Sequence, residues 1–137
     1  MNLTNFRFET DADGIALLTW DMPGKTMNVI DMDVIRELGE VVDHVASTDA
    51  IKGCVITSGK KDSFSGGADL TMLEAFGTQL AQQAKAEGFE KAMGTFFDAS
   101  RSLSLLYRKL ETCGKPFACA INGVALGGAF ELALACH

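Results

Sequence analysis

Apolar and polar positions alternate from Phe6 to Thr10 and again from Ile15 to Trp20. A period of two marks strands. Asp11-Ala12-Asp13-Gly14 supplies turn chemistry between them, so these residues predict a β-hairpin. Met22-Pro23-Gly24-Lys25 then reads as a loop. From Asp31 the period changes. Val34, Ile35, Leu38, Val41, Val42 and Val45 recur at helical spacing, with Asp31 placed to cap the helix and an end near Ser47. Gly53 to Thr57 predicts a short buried strand, and Ser58 to Ser63 a polar turn.

Phe64-Ser65-Gly66-Gly67-Ala68-Asp69-Leu70 is too glycine-rich for an ordinary strand. Leu70 to Phe76 predicts a helix. Gln79 to Leu110, rich in Ala, Gln, Lys, Glu and Leu, predicts another, whole or broken at Gly88 and Gly94. Gly114-Lys115-Pro116 stops it. Phe117 to Ile121 predicts a strand, Asn122 to Gly128 a glycine turn, and Ala129 onward a helix. Helices interleaved with strands in this order predict an α/β layer fold, with helices packed on a sheet. No repeat or linker divides the chain.

Composition narrows the function classes. The 137 residues carry 12 Lys+Arg against 18 Asp+Glu, a formal charge of −6. With a pI of about 4.8 and no basic run, a nucleic-acid partner is not expected. Phe117 to Cys136 is long enough for a membrane span, but Asn122, Glu131 and three glycines interrupt it, so no span is expected. Met1 to Thr10 lacks the basic and apolar regions of a signal peptide. The four cysteines fall in no zinc or disulfide-scaffold spacing. Reduced thiols in a cytoplasmic compartment, and no metal, are the expectation.

Two glycine turns and one carboxylate carry the candidate chemistry. Phe64-Ser65-Gly66-Gly67-Ala68-Asp69 and Asn122-Gly123-Val124-Ala125-Leu126-Gly127-Gly128 each lead from a strand towards a helix. Glycine lets a backbone approach a ligand closely. The first N–H groups of a helix have no internal partner. Two such turns side by side would supply converging N–H donors, the layout of an oxyanion hole. Glu131 lies about one helical turn beyond Gly128. Phe130, Leu132, Ala133 and Leu134 are expected to desolvate it and raise its pKa, which suits a general acid/base. A structural carboxylate, paired with a cation or a backbone donor, is the other reading.

These residues, followed in order by Lys115-Pro116 and the run Ile121 to Cys136, resemble the crotonase (enoyl-CoA hydratase/isomerase) superfamily over essentially the whole chain. Trp20 to Asp31 and the ending Glu131 to His137 are most similar to the amino-terminal hydratase part of fatty-acid oxidation multifunctional α-subunits, where a 3-hydroxyacyl-CoA dehydrogenase follows. The resemblance implies the N-terminal part of a crotonase-like spiral core. It implies a 2-enoyl-CoA substrate for hydration in β-oxidation, with the Ala68 and Gly128 N–H groups holding the thioester oxygen. Glu131 matches the first catalytic glutamate. Gly66, Gly67, Asp69, Leu70 and Gly127 fall where the family meets its substrate, and Asn28 and Lys25 near the CoA.

The resemblance implies no cofactor within these residues; CoA enters as the substrate's thioester, and NAD belongs to the downstream dehydrogenase. It implies a homo-oligomer, or a complex with a thiolase subunit. It also implies that the second catalytic glutamate and the rest of the domain lie beyond His137, leaving this part weak or inactive alone. The family often has glycine where Ala129 stands. Other crotonase chemistries (isomerase, decarboxylase, thioester hydrolase) and a non-catalytic acyl-CoA-binding module remain open. A dinucleotide site at Gly123 to Gly128 fits poorly, because the spacing is not that of the dinucleotide fingerprint.

Overall fold

The computed structural model describes residues 1–137. The chain begins with a hairpin of β1 (Phe6–Thr10) and β2 (Ile15–Trp20), paired in register from Phe6 with Trp20 to Thr10 with Ala16. Asp11 closes its turn, its carboxylate accepting from the N–H groups of Asp13 at 3.0 Å and Ile15 at 2.8 Å. Next comes α1 (Met32–Ser47), capped at Asp31, whose Oδ1 accepts from the Val34 N–H at 2.9 Å. Its inward stripe is the apolar set predicted, less the half-buried Ile35 and with one addition: Glu37 is fully buried. The Glu37 carboxylate accepts from the N–H groups of Thr4 at 3.1 Å and Asn5 at 2.9 Å and from the Asn5 amide at 3.2 Å. A buried carboxylate is tolerated only with such partners, and these tie the N-terminal segment to α1.

The chain continues through β3 (Gly53–Ser58), β4 (Ser63–Ser65), α2 (Leu70–Glu87), α3 (Phe89–Thr112), β5 (Phe117–Ala120), β6 (Val124–Ala125) and α4 (Gly128–Leu134). The main sheet has the order β1-β2-β3-β5, with β2, β3 and β5 parallel. One face, carrying Ala16, Leu18, Trp20, Cys54, Ile56 and Phe117, meets the buried stripe of α1 and residues Leu106, Tyr107 and Leu110 of α3 in one core. Trp20 is central, stacked on Phe6 at 5.6 Å and edge-on to Phe64 at 6.0 Å between ring centroids. Parallel strands with helical crossovers make this the α/β layer fold expected.

Three local expectations change. Ser63–Ser65 and Val124–Ala125 form a small parallel sheet of their own, within segments read as a polar turn and glycine turns. The helix from Leu70 does not stop at Phe76 but runs through Gly77 to Glu87. The break before α3 is at Gly88, with φ of +97°, while Gly94 stays inside α3. A left-handed φ is open to glycine at little cost, which makes Gly88 the place to turn. No helix is long and apolar enough to cross a membrane.

Candidate active site

The first glycine turn is built on Asn28. This side chain is fully buried. Its Oδ1 accepts from the Met22 N–H at 3.0 Å, and its Nδ2 donates towards Trp20 O at 2.8 Å, Ser58 Oγ at 3.0 Å and Phe64 O at 3.1 Å. Its backbone carbonyl accepts from Ser65 Oγ and from the Gly66 N–H, both at 2.9 Å. The amide is therefore saturated by protein groups, and Asn28 frames the turn instead of reaching a ligand.

The neighbouring backbone fixes the rest. Ile30 pairs with Ala68 as an isolated parallel bridge. Ile30 N–H donates to Gly67 O at 2.7 Å, and Asp69 N–H donates to Ile30 O at 2.9 Å. Gly67 N–H donates to Ser65 Oγ at 3.2 Å. Between Gly66 and Asp69, the Ala68 N–H alone has no protein acceptor. A bridging residue whose neighbours face Ile30 directs its own N–H the other way.

The second turn lies directly against the first. Leu126 N–H donates to Ser65 O at 3.1 Å. Gly67, at φ of +87°, presses so close that a Cβ on it would lie 2.7 Å from Leu126 O. Gly127 also has a positive φ, +47°. Its carbonyl accepts from the N–H groups of Phe130 at 2.9 Å and Glu131 at 3.0 Å, while Ala129 N–H donates to Leu126 O at 3.0 Å. Gly128 opens α4, so its N–H has no acceptor within the helix, and no side chain caps it. Tyr107, from α3, donates its hydroxyl to Gly128 O at 2.7 Å.

Glu131 follows on the first turn of α4, but it is exposed. Phe130 and Leu134, expected to desolvate it, are themselves 49% and 69% exposed. Ala129 and Leu132 face the core on the opposite side. The expected burial of Glu131 is thus corrected: successive side chains leave a helix in different directions, so apolar neighbours in sequence do not cover it. Burial, and then the Glu131 charge, push the Tyr107 hydroxyl's pKa up, so the carboxylate and the phenol feel one another.

Lys25 is exposed, and its Nζ lies 3.2 Å from Asp69 Oδ2. Asp69 caps α2 through Oδ1, accepting from the N–H groups of Thr71 at 2.9 Å and Met72 at 3.2 Å. The Met72 N–H and then the Lys25 ammonium hold the Asp69 carboxyl below its ordinary range. Leu70 beside it is 79% exposed. The structure therefore gathers Gly66, Gly67, Ala68, Asp69, Leu70, Gly127, Gly128 and Lys25 around two abutting turns. Sequence reading missed Ser65 and Tyr107 there. Ser65 sits beside the glycine pair, a hint of turn chemistry, whereas nothing local marks Tyr107 beyond its place in the apolar stripe of α3. No group of three or more His, Cys, Asp or Glu side chains is assembled to hold a metal ion.

Comparisons with known proteins fit this geometry. The chain is 40% identical over 132 residues to a fatty acid oxidation complex subunit alpha of Shewanella oneidensis, covering 96% of this chain but 17% of that protein. It is 42% identical over 125 residues to the subunit alpha of Shewanella baltica, covering 91% and 16%. Among solved structures, a Legionella pneumophila protein described as an enoyl-CoA hydratase/isomerase (crotonase) superposes with a TM-score of 0.76 at 25% identity, covering 98% of this chain and 46% of that one. An enoyl-CoA hydratase of Geobacillus kaustophilus gives a TM-score of 0.76 at 20% identity, covering 99% and 45%, and shows the fold alone. The fold is therefore crotonase-like, matching less than half of those chains. With residues 10–137 matched by the model of the enoyl-CoA hydratase/isomerase family, this chain belongs to that family.

Proposed function

We propose that these residues carry the oxyanion-binding half of a site that hydrates 2-trans-enoyl-CoA to 3-hydroxyacyl-CoA. The observation that supports this is the abutment of the two turns. One offers the unengaged Ala68 N–H and the other the Gly128 N–H at the start of α4. As water adds, its oxygen bonds to C3 of the enoyl group, the C2–C3 π electrons shift towards the carbonyl, and negative charge builds on the thioester oxygen. Two preorganised N–H donors stabilise that charge without reorganising. A single such donor is worth about 2.7–4 kcal/mol in the transition state. Glu131 takes a proton from the water as its oxygen bonds to C3 and returns that proton to C2, which completes the product. Gly66, Gly67, Asp69, Leu70, Gly127 and Lys25 line the approach of the CoA. CoA is substrate here, and the chemistry above calls on no further cofactor. The relatives' name suggests a role in fatty-acid oxidation.

The exposure of Glu131 favours a second reading, in which the site binds acyl-CoA and the carboxylate takes no part. Because the chain spans 17% of the curated relatives' length, the test uses the longest protein its gene encodes. Crotonyl-CoA hydration is followed by loss of the conjugated thioester absorbance. Glu131→Gln is expected to cut turnover by about 100-fold or more, with CoA affinity unchanged. Unchanged turnover would leave Glu131 as a structural carboxylate. Isomerisation at the same site would move a proton between C2 and C4 and add no water, so product analysis separates the two.

A further inference from the structure

The two peptides that flank Gly128 are both pinned. The peptide before it, which carries the Gly128 N–H, is held through Gly127 O by the N–H groups of Phe130 and Glu131. The peptide after it is held at both ends. Ala129 N–H donates to Leu126 O at 3.0 Å, and Gly128 O accepts from the Tyr107 hydroxyl at 2.7 Å. Glycine has the freest dihedrals of any residue, so without an anchor on its carbonyl the first turn of α4 could tilt against α3 and carry the Gly128 N–H with it. Tyr107 supplies the side-chain bond in this set. Its ring lines a small apolar cavity with Trp20, Ile30, Leu103 and Leu132, which fixes where the hydroxyl points.

We propose that Tyr107 is a positioning residue for the oxyanion site. Its hydroxyl, by holding the Gly128 carbonyl, anchors the first turn of α4 to α3 and so fixes where the Gly128 N–H stands relative to the thioester oxygen. This rests on the hydratase reading above. Tyr107 touches neither substrate nor reacting atoms. It acts from α3, 21 residues away in sequence, and couples the aim of the donor to the packing of that helix.

The test compares wild-type full-length protein with Tyr107→Phe, which keeps the ring and removes the hydroxyl. Two probes are titrated: crotonyl-CoA, and a thioether analogue of it that lacks the carbonyl oxygen. The ratio of their affinities reads the oxyanion contact alone, because a general loosening of the fold weakens both. The variant is expected to lose about tenfold of the wild-type preference for the thioester, with the thioether's affinity unchanged and KM for crotonyl-CoA raised in step, and to lose about tenfold in kcat. Should Tyr107→Phe not fold, p-aminophenylalanine at position 107 keeps a ring and an N–H donor and is expected to hold the wild-type ratio. A wild-type ratio in Tyr107→Phe, or a ratio lost with the amino analogue, overturns the assignment of Tyr107 alone. A wild-type protein that neither turns over crotonyl-CoA nor prefers the thioester overturns the hydratase reading itself.

Discussion

Gly67 and Leu126 meet backbone to backbone: a Cβ on Gly67 would stand 2.7 Å from the Leu126 carbonyl oxygen, where φ is already +87°. The bond from Leu126 N–H to Ser65 O holds one glycine turn against the other, and this close approach leaves no room between them for a side chain. Gly67→Ala is therefore doubly disfavoured, by a left-handed φ and by a backbone atom that cannot step aside. The strained dihedral alone costs on the order of 1–3 kcal/mol. The variant is expected to lose at least that much in urea unfolding, and to lose turnover with it. A midpoint equal to wild type would show that the turns are not in this contact.

Asn28 makes a sharper electrostatic prediction. Its Nδ2 faces the carbonyl oxygens of Trp20 and Phe64. Asn28→Asp keeps the shape but puts an acceptor where a donor stood. Burial and those carbonyls raise the new carboxyl's pKa in the folded state above its unfolded value of about 3.9. The folded variant then binds more protons than the unfolded one, so its stability falls as pH rises from the unfolded pKa up through the folded one. Near pH 4 it should lie closest to wild type, and by pH 7 it should be destabilised by several kcal/mol. Denaturant midpoints at the two pH values check this. Equal deficits at both would place the amide in solvent.

Much of this frame was legible because it follows simple periods. Alternation in Ile15–Trp20 and helical spacing from Val34 to Val45 each report one face against one core. The pairing of Ser63–Ser65 with Val124–Ala125 was not legible, since strands of three and two residues carry no period. Glu37 escaped notice because a carboxylate in an apolar stripe reads as surface until its partners, Thr4 and Asn5, are known. Glu131 misled in the opposite sense. Its apolar neighbours in sequence divide between the core and solvent once wound into α4. The link from Tyr107 to Gly128 joins separate elements, and no local pattern encodes it.

Asp69 gives the pH dependence of the first turn. Its carboxyl is held low by the Met72 N–H and by Lys25, so its folded pKa lies below the unfolded one. The stabilisation is present above the unfolded value and is lost as pH falls through the folded one. The amides of Thr71 and Met72 should therefore stay protected at pH 5 and exchange faster as the carboxylate is protonated, at pH values below the ordinary Asp range. Asp69→Asn, which still caps a helix, should keep most of that protection and show no such pH dependence. An unchanged acid profile in Asp69→Asn would assign the effect to another group.

Gly128 contrasts with Gly67, and the difference separates folding from aim. A Cβ on Gly128 would lie 2.9 Å from Ile30 Cδ1 and 3.3 Å from Leu103 Cδ2, both the far ends of flexible side chains. They can yield, so Gly128→Ala is expected to fold and to lose only about 1–3 kcal/mol as an overpacked position. Yielding is not free for the site. Ile30 is bridged to Ala68, and Leu103 lies one turn before Tyr107, so the adjustment reaches both donors. Under the hydratase reading, Gly128→Ala should lower kcat by about tenfold or more while remaining folded, because small misplacements of a reacting contact are amplified in rate. Thermal unfolding and crotonyl-CoA turnover on the same preparation decide it. A folded Gly128→Ala protein with wild-type kcat would mean that the first N–H of α4 does not hold the thioester oxygen.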